Sequence, residues 1–497
     1  MKFNKSISFG AGLLAVSSIG SYGFGLLRDR LLAGQFGAST ELDIYSASFL
    51  IPDFIMNLFV AALTVAFVPV FSSWRKKQCE NSAWELTNHL LYLITFIIVI
   101  AAVIIYFFTP FLTKLIAPGF NEISRATLIN TSRLMLISPI LFSLSIIFGS
   151  ALQGLRRFTA YALSPILYNL AICLSLYFLA PKYGIYGAII GVLIGVLIHF
   201  LIRLIESFWS GWRLKYFKPH WPGVIKVIKL MLPRSIALIA WQANLWIYTA
   251  IASGLAVGSI GIFNIARNFQ SLPVSLFGIA FATSMFPALA DHFADEKISE
   301  FRDDLSKTIR QVLFFTIPAS MALVILARPI VNFFLGTGKF DEQAVITTGI
   351  VLSIFAMSIP FESLQHLLAR GFYARHDTIT PVKITIFASL INILISFIVA
   401  QFMGVIGLAF GFIGYAITQV LLLNIFLRKK IEKLNDKEIL NSLYKIMIAT
   451  LIMAVIIYLI SNLYLAILIG GTVYLILAII LKMPELSGLK IIIKKIF

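Results

Sequence analysis

The sequence predicts an all-α polytopic membrane protein. It has about fourteen transmembrane helices, in two six-helix lobes related by a pseudo-twofold repeat, with two further helices at the C-terminus. Three observations predict this. The 497 residues are 59% hydrophobic and only 12% charged, with mean hydropathy +0.94, a balance that soluble globular proteins do not have. Apolar runs long enough to cross about 30 Å of hydrocarbon recur along the whole chain. Three segments also recur at a nearly constant offset.

The spans centre on 8–33, 42–72, 84–109, 125–152, 159–180, 184–208, 224–254, 258–290, 306–335, 342–369, 378–402, 404–427, 439–462 and 464–482. This divides the chain into an N-terminal lobe at 1–220, a C-terminal lobe at 221–430, and helices 13 and 14 with a basic tail at 431–497. Lys2 and Lys5 precede the first apolar run in the manner of a signal peptide. The run is too long for one and lacks a small-residue cleavage site, so it reads as the first span. Pro52, Pro69, Pro139, Pro165, Pro233, Pro273, Pro287, Pro360 and Pro381 punctuate the spans, where proline permits kinks.

Charge gives orientation and excludes function classes. The net charge of +18 reads as the lysine and arginine excess of cytoplasmic loops. No long soluble segment exists to form a nucleic-acid groove. With the N-terminus inside, the inner segments carry Arg75-Lys76-Lys77, Arg156-Arg157, Arg213, Lys215 and Lys218. Further on they carry Lys297, Arg302, Lys307 and Arg310, then Arg370 and Arg375, Arg428-Lys429-Lys430, Lys433, Lys437, Lys490, Lys494 and Lys495. The outer loops hold little beyond Lys114, Lys182, Arg328 and Lys339. Both termini are therefore expected in the cytoplasm. Cys79 and Cys173 fall in a charged loop and an apolar run, so no disulfide is expected. The six histidines show no metal-ligand spacing, and no metal is expected.

The repeat is read from three anchors. AFVPVFSSW at 66–74 matches SMFPALADH at 284–292, QGLRRFTAYALSP at 153–165 matches RGFYARHDTITP at 370–381, and GIYGAIIG at 184–191 matches GVIGLAFG at 404–411. The offsets are 218, about 217 and 220. Six helices per repeat give both halves the same orientation in the membrane. Transporters built this way place substrate between the halves.

No catalytic constellation, nucleotide-binding loop or cofactor motif is present, so neither an enzyme nor transport driven by this chain's own ATP hydrolysis is expected. The chemistry rests on intramembrane polar residues. These are Arg28, Asp29, Arg30, Asp43, Asp53 and Asn57 in the first half, and Arg234, Gln242, Asn244, Arg267, Asn268 and Gln270 in the second. Charges at bilayer depth are costly and usually face a bundle interior or a wet cavity. Arginine suits a phosphate because its planar fork donates parallel hydrogen bonds. Asp29 and Asp43 are placed to pair with arginines when the site is empty. Arg28 and Arg30 also admit a plainer reading, as helix-end residues snorkelling to headgroups. They fall, however, on the outer side of span 1, where surplus arginine is disfavoured. Arg234, next to Pro233, reads equally as interfacial or cavity-facing. Arg203 with Glu206 three residues on reads as a local helical pair.

The stretches GLLRDRLLAGQFGASTELDIYSASFLIPDF, NLFVAALTVAFVPVF, MLPRSIALIAWQANL, NIARNFQSLPVSLFGIAFATSMFP, GKFDEQA and RGFYARHDTITPVKI resemble the MurJ/MviN family of lipid II flippases. That family lies in the superfamily that includes MATE exporters and polysaccharide flippases. The resemblance implies alternating access between two lobes in the bacterial inner membrane. It implies a cationic cavity for the diphosphate of a lipid-linked peptidoglycan precursor, a groove for the polyprenyl tail at helices 13 and 14, and the cell-wall synthesis machinery as a candidate partner. Arg28, Asp29 and Asp43 carry over by motif position. The family's helix 8 arginine aligns with Asn268, and here the arginine is Arg267, turned by about 100° on a helix. Tyr22, Met56, Asn57 and Ala61 stand where the family often has charged residues, and Arg30 is a candidate to compensate. No cofactor is implied, and the drive is left open between membrane potential and a sodium or proton gradient. The rival readings are a flippase for another polyprenyl-diphosphate-linked oligosaccharide, a MATE-like small-molecule exporter, and a non-transporting structural or assembly protein, which would tolerate neutralised cavity charges.

Overall fold

The computed structural model describes residues 7–60, 63–77, 80–215, 221–432 and 434–486. Cys79, Lys218, Lys433 and the basic tail residues Lys490, Lys494 and Lys495 lie outside the described residues, as does the side chain of Arg234. Every regular element among the described residues is helical. The chain separates into two compact units: Met1–Gly261 with Phe334–Asp341, and Ile262–Phe333 with Glu342–Phe497.

The first unit holds α1 (Ile7–Phe36), α2 (Thr40–Ser48), α3 (Leu50–Phe59), α4 (Leu63–Lys77), α5 (Glu80–Ile116) and α6 (Glu122–Met135). It continues with α7 (Ile137–Gly154), α8 (Thr159–Phe178), the short α9 (Ala180–Tyr183), α10 (Ile185–Trp209) and α11 (Trp221–Ser253). α12 (Ser259–Pro273) begins in this unit and continues into the second. A π-helical turn at Val274–Ile279 follows, then α13 (Ala280–Ala294), α14 (Ile298–Leu335), α15 (Glu342–Met357) and α16 (Ile359–Ala374). Last come α17 (Ile379–Met403), α18 (Val405–Ile431), α19 (Asp436–Leu459) and α20 (Leu463–Ile480). α11, the seventh expected span, packs within the first unit against α3, α4 and α5. The packing boundary therefore falls later than the repeat boundary at 220/221.

Among the described residues, eleven helices are long and apolar enough to cross a membrane, or twelve if α15 and α16 are one bent span. The expected spans outside that set are the first and the seventh, α1 and α11, of 30 and 33 residues.

Proline explains where continuous apolar runs become broken helices. A proline has no N–H for the carbonyl four residues back, and its ring crowds that carbonyl. Pro52 separates α2 from α3, Pro139 separates α6 from α7, and Pro360 separates α15 from α16 at a 40° bend. In lipid a freed carbonyl must find another donor. Met135 O, freed by Pro139, accepts Ser138 Oγ at 2.7 Å. Ala356 O, freed by Pro360, accepts Ser320 Oγ at 2.7 Å.

The repeat anchors are visible in the backbone. Gly184 opens α10 at φ 55°, ψ −136°, and Gly404 opens α18 at φ 60°, ψ −138°, a conformation that disfavours a Cβ. Gly187 lies against the backbone of Leu179 and Ala180, and Gly407 against Val399 and Ala400. One turn on, Gly191 meets Ser175 and Gly411 meets Ser396. Glycine at these positions lets paired helices approach closely in α8–α10 and again in α17–α18. The loops before α8 and α17 match too, with Arg156 and His376 both at φ 58°.

Each unit has its own core. In the first, Phe67, Phe71, Trp84, Phe148 and Trp212 lie at its centre, with edge-on ring contacts at 5.6 Å for Phe71–Trp84 and 4.8 Å for Phe148–Trp212. In the second, α20 packs onto α14 through buried Tyr474, whose hydroxyl donates to Phe314 O at 2.7 Å. Glu485 accepts from Ser442 at 2.7 Å, and Arg310 pairs with Glu438 at 3.1 Å.

The expected local pair of Arg203 and Glu206 does not form. Arg203 is buried and donates to Ser164 Oγ at 2.9 Å and Ser145 O at 3.3 Å, with its guanidinium over the Tyr161 ring. Glu206 accepts the Ala160 amide at 2.5 Å. The start of α8 offers free N–H groups and positive potential, so the carboxylate caps that helix instead.

Candidate functional site

α1 continues through its three charges without a break. It can do so because α2 and α8 bring polar groups to meet them. Arg28 donates from Nε at 3.0 Å and from a terminal nitrogen at 2.8 Å to the same oxygen of Asp29, and from its other terminal nitrogen to Asn169 Oδ1 at 3.3 Å. The side chain of Arg28 stays 23% exposed, while that of Asp29 is 7% exposed. Asn169, buried on α8, donates in turn to Ser21 Oγ at 3.3 Å and Pro165 O at 3.1 Å. Tyr45 and Tyr168 lie within electrostatic reach of the guanidinium, and Asp53, exposed on α3, within reach of Tyr168. A shared counter-ion and a neutral amide therefore orient an arginine that keeps an open face. That arrangement suits an anion able to accept two parallel hydrogen bonds.

The other predicted residues of the first unit have different partners. Asp43 is buried, and its oxygens accept the Gly258 amide at 2.7 Å and the Gly261 amide at 2.8 Å. The expectation that Asp43 pairs with an arginine is corrected: its carboxylate caps the turn that opens α12. Arg30 donates to Phe334 O at 3.2 Å. Beside it, Lys339 N donates to Gly34 O at 2.9 Å. A Cβ on Gly37, at φ 65°, or on Gly338, at φ 61°, would strike that partner backbone. Two of the stretches singled out in the sequence, around Ala33–Asp43 and GKFDEQA, thus meet in one close-packed joint. Asn57 donates to Gln242 Oε1 at 2.9 Å, and Gln242 donates to Leu50 O at 3.3 Å. Those two cavity candidates bind each other across α3 and α11.

In the second unit the polar residues of α12 meet α16. Gln270 is buried and donates to Ser358 Oγ at 3.1 Å and to Glu362 Oε2 at 2.6 Å. Arg267 is half-buried and acts electrostatically on Glu362. Asn268, one residue on, is exposed, and its carbonyl accepts Ser271 Oγ. The displaced arginine therefore lies within electrostatic reach of an acid on α16.

Sequence reasoning missed Asn169, Tyr45, Tyr168 and Glu362. Glu362 had a signal, as the one carboxylate between Glu342 and Asp377 in a run otherwise read as a span. Asn169 and the tyrosines had none, because a single polar residue in an apolar run is common in membrane packing. Among the described residues, no group of histidine, cysteine and carboxylate side chains is placed to hold a metal ion.

The comparisons with known proteins agree with one another. A family model described as "Lipid II flippase MurJ" matches residues 32–479, beginning just beyond Arg28–Arg30. The probable lipid II flippase MurJ of Buchnera aphidicola is 27% identical over 447 residues, 88% of this chain and 87% of that protein. The lipid II flippase MurJ of Burkholderia cenocepacia is 26% identical over 419 residues, covering 82% and 81%. A solved structure of lipid II flippase MurJ in an inward closed conformation superposes with a TM-score of 0.79 at 28% identity, over 94% of this chain and 98% of that one. An inward-facing multidrug transporter of the MATE family gives 0.70 at 12% identity, over 82% and 94%, a likeness of fold alone.

Proposed function

This chain belongs to the lipid II flippase MurJ family, and from that premise we propose that it moves lipid II, the lipid-linked peptidoglycan precursor, across the bacterial cytoplasmic membrane by alternating access. It is a multi-pass membrane protein of the wider superfamily that includes MATE transporters, and its substrate is a lipid carrying a diphosphate. The observation that carries the reading is Arg28, held on α1 by Asp29 and Asn169 with a face left open. An arginine so placed binds diphosphate oxygens through paired donors. Its internal partner Asp29 covers the charge when no substrate is present, which lowers the cost of keeping it in the membrane. Arg267, with Asn268 beside it, is the candidate headgroup cation of the second unit, and Asn57 is a neutral candidate of the first.

Both termini lie in the cytoplasm on this reading, by the loop charges, and the cell-wall synthesis machinery is the partner that receives the product. An inside-negative potential favours outward movement of the anionic headgroup by about 2.3 kcal/mol per charge per 100 mV.

The test is complementation of bacteria depleted of their own lipid II flippase, with wild type and Arg28→Ala expressed side by side. Wild type restores growth, and Arg28→Ala, reaching the membrane at equal level, does not. Failure of wild type at good expression overturns the substrate assignment in favour of another lipid-linked oligosaccharide. Rescue by both proteins removes Arg28 from the site.

A further inference from the structure

We propose that Glu362 is an exchangeable proton site whose protonation state controls whether Arg267 is free to bind an anionic headgroup. The inference rests on the reading of Arg267 as a headgroup-binding residue. It adds a carboxyl group that neither the sequence reading nor the family resemblance placed in the site.

The position of Glu362 is its first argument. α15 and α16 taken together are long and apolar enough for one bent span, and Glu362 lies four residues beyond Ser358, at the break. It stands twenty residues after Glu342 and fifteen before Asp377 (362 − 342 and 377 − 362), with no other carboxylate between. An acid at that depth is expensive unless it has a task.

Its surroundings are the second argument. The carboxylate accepts from a neutral donor, Gln270 Nε2, at 2.6 Å, and that amide nitrogen also reaches Ser358 Oγ. Arg267, one helical turn before Gln270 on α12, is the positive charge that acts on it. Tyr415 on α18 is within electrostatic reach and hydrogen-bonds Gln365. His366 and Arg370 follow on α16 itself, where Arg370 donates to Thr283 Oγ1 on α13 at 2.7 Å. The carboxylate thus meets one amide donor and lies within electrostatic reach of a cation on the same neighbouring helix.

Two states follow. With Glu362 ionised, Arg267 is held as its counter-ion and is a weaker ligand for phosphate. When a proton adds to a Glu362 oxygen, the negative charge disappears while the neutral amide contact adjusts, and Arg267 turns its full charge to an entering anion. Binding of the anion and uptake of one proton are then linked, each favouring the other by the same factor.

The experiment uses the full-length protein in lipid nanodiscs with undecaprenyl diphosphate as probe. Affinity is measured against pH for wild type, Glu362→Gln and Arg267→Gln. Infrared difference spectra between high and low pH are recorded without probe. Wild-type affinity should strengthen as pH falls, by up to about tenfold per pH unit, the limit for one linked proton. Glu362→Gln should bind at every pH as wild type does at low pH, and its spectrum should lack one protonated-carboxyl band. Arg267→Gln should bind weakly with a flat profile and keep the band. The proposal is overturned if Glu362→Gln retains the wild-type slope or the band. If the band is lost as expected but wild type binds no probe at any pH, the headgroup reading of Arg267 fails and the linkage falls with it.

Discussion

At the scale of single residues, the same chemistry serves two ends. Asp29 and Asp43 both looked like counter-ions for arginines. The structure gives Asp29 an arginine and gives Asp43 two backbone amides. The distinction predicts different phenotypes. Asp43→Asn presents an amide N–H₂ to one of two buried N–H donors, so a donor is left unsatisfied. The expected loss is about 1–3 kcal/mol of stability, seen as a lower Tm of the purified protein. Asp29→Asn leaves those amides untouched but removes the counter-ion of Arg28, so it should lower Tm as well and also change headgroup affinity. An Asp43→Asn variant whose headgroup affinity changes as much as that of Asp29→Asn would contradict the assignment of Asp43 as a cap. The residue types of the site were legible in the sequence because charge in an apolar run is rare. The partners were not, since Asn169 lies 141 positions from Arg28 and Glu362 lies 92 from Gln270, and only packing brings them together.

At the scale of elements, the sequence was most informative where backbone chemistry is local. The proline breaks and the glycine contacts of α8–α10 and α17–α18 follow from residues that constrain their own backbone. The second anchor, RGFYARHDTITP, shows a further consequence. It ends α16 and starts α17, and its Asp377 lies in the turn between them. Burial alone would raise the pKa of that carboxyl. The hydrogen bond from Lys430 at the end of α18, and those from the Thr380 amide at 3.0 Å and hydroxyl at 2.7 Å, outweigh burial and hold it at about 2. A folded-state pKa below the ordinary value, about 3.9, means that this contribution is present above about pH 4 and is lost as pH falls toward 2. Asp377→Asn should therefore lower Tm near neutral pH. It should also flatten the acid limb of Tm against pH between about 4 and 2. An unchanged acid limb would show that the Lys430 contact is not maintained in solution.

At the scale of the whole molecule, the direction of transport depends on which ends of the helices face the cytoplasm. α10 carries this question well. It is an unbroken helix from Ile185 to Trp209, so its 25 residues span about 37 Å at 1.5 Å per residue, enough to separate its ends by a whole bilayer core. Lys182 precedes it, and Arg213 follows it, donating to the carbonyls of Phe208 and Trp212. The loop charges assign Arg213 to the inside and Lys182 to the outside. With Cys79 and Cys173 replaced by alanine, Lys182→Cys in intact cells should react with a membrane-impermeant maleimide. Arg213→Cys should react only after the membrane is permeabilised. The reverse pattern would invert the topology, and the outward direction proposed for lipid II would no longer agree with a headgroup driven by an inside-negative potential. Labelling of both sites from one side would mean that α10 does not cross, and the repeat it shares with α18 would no longer describe two halves inserted alike.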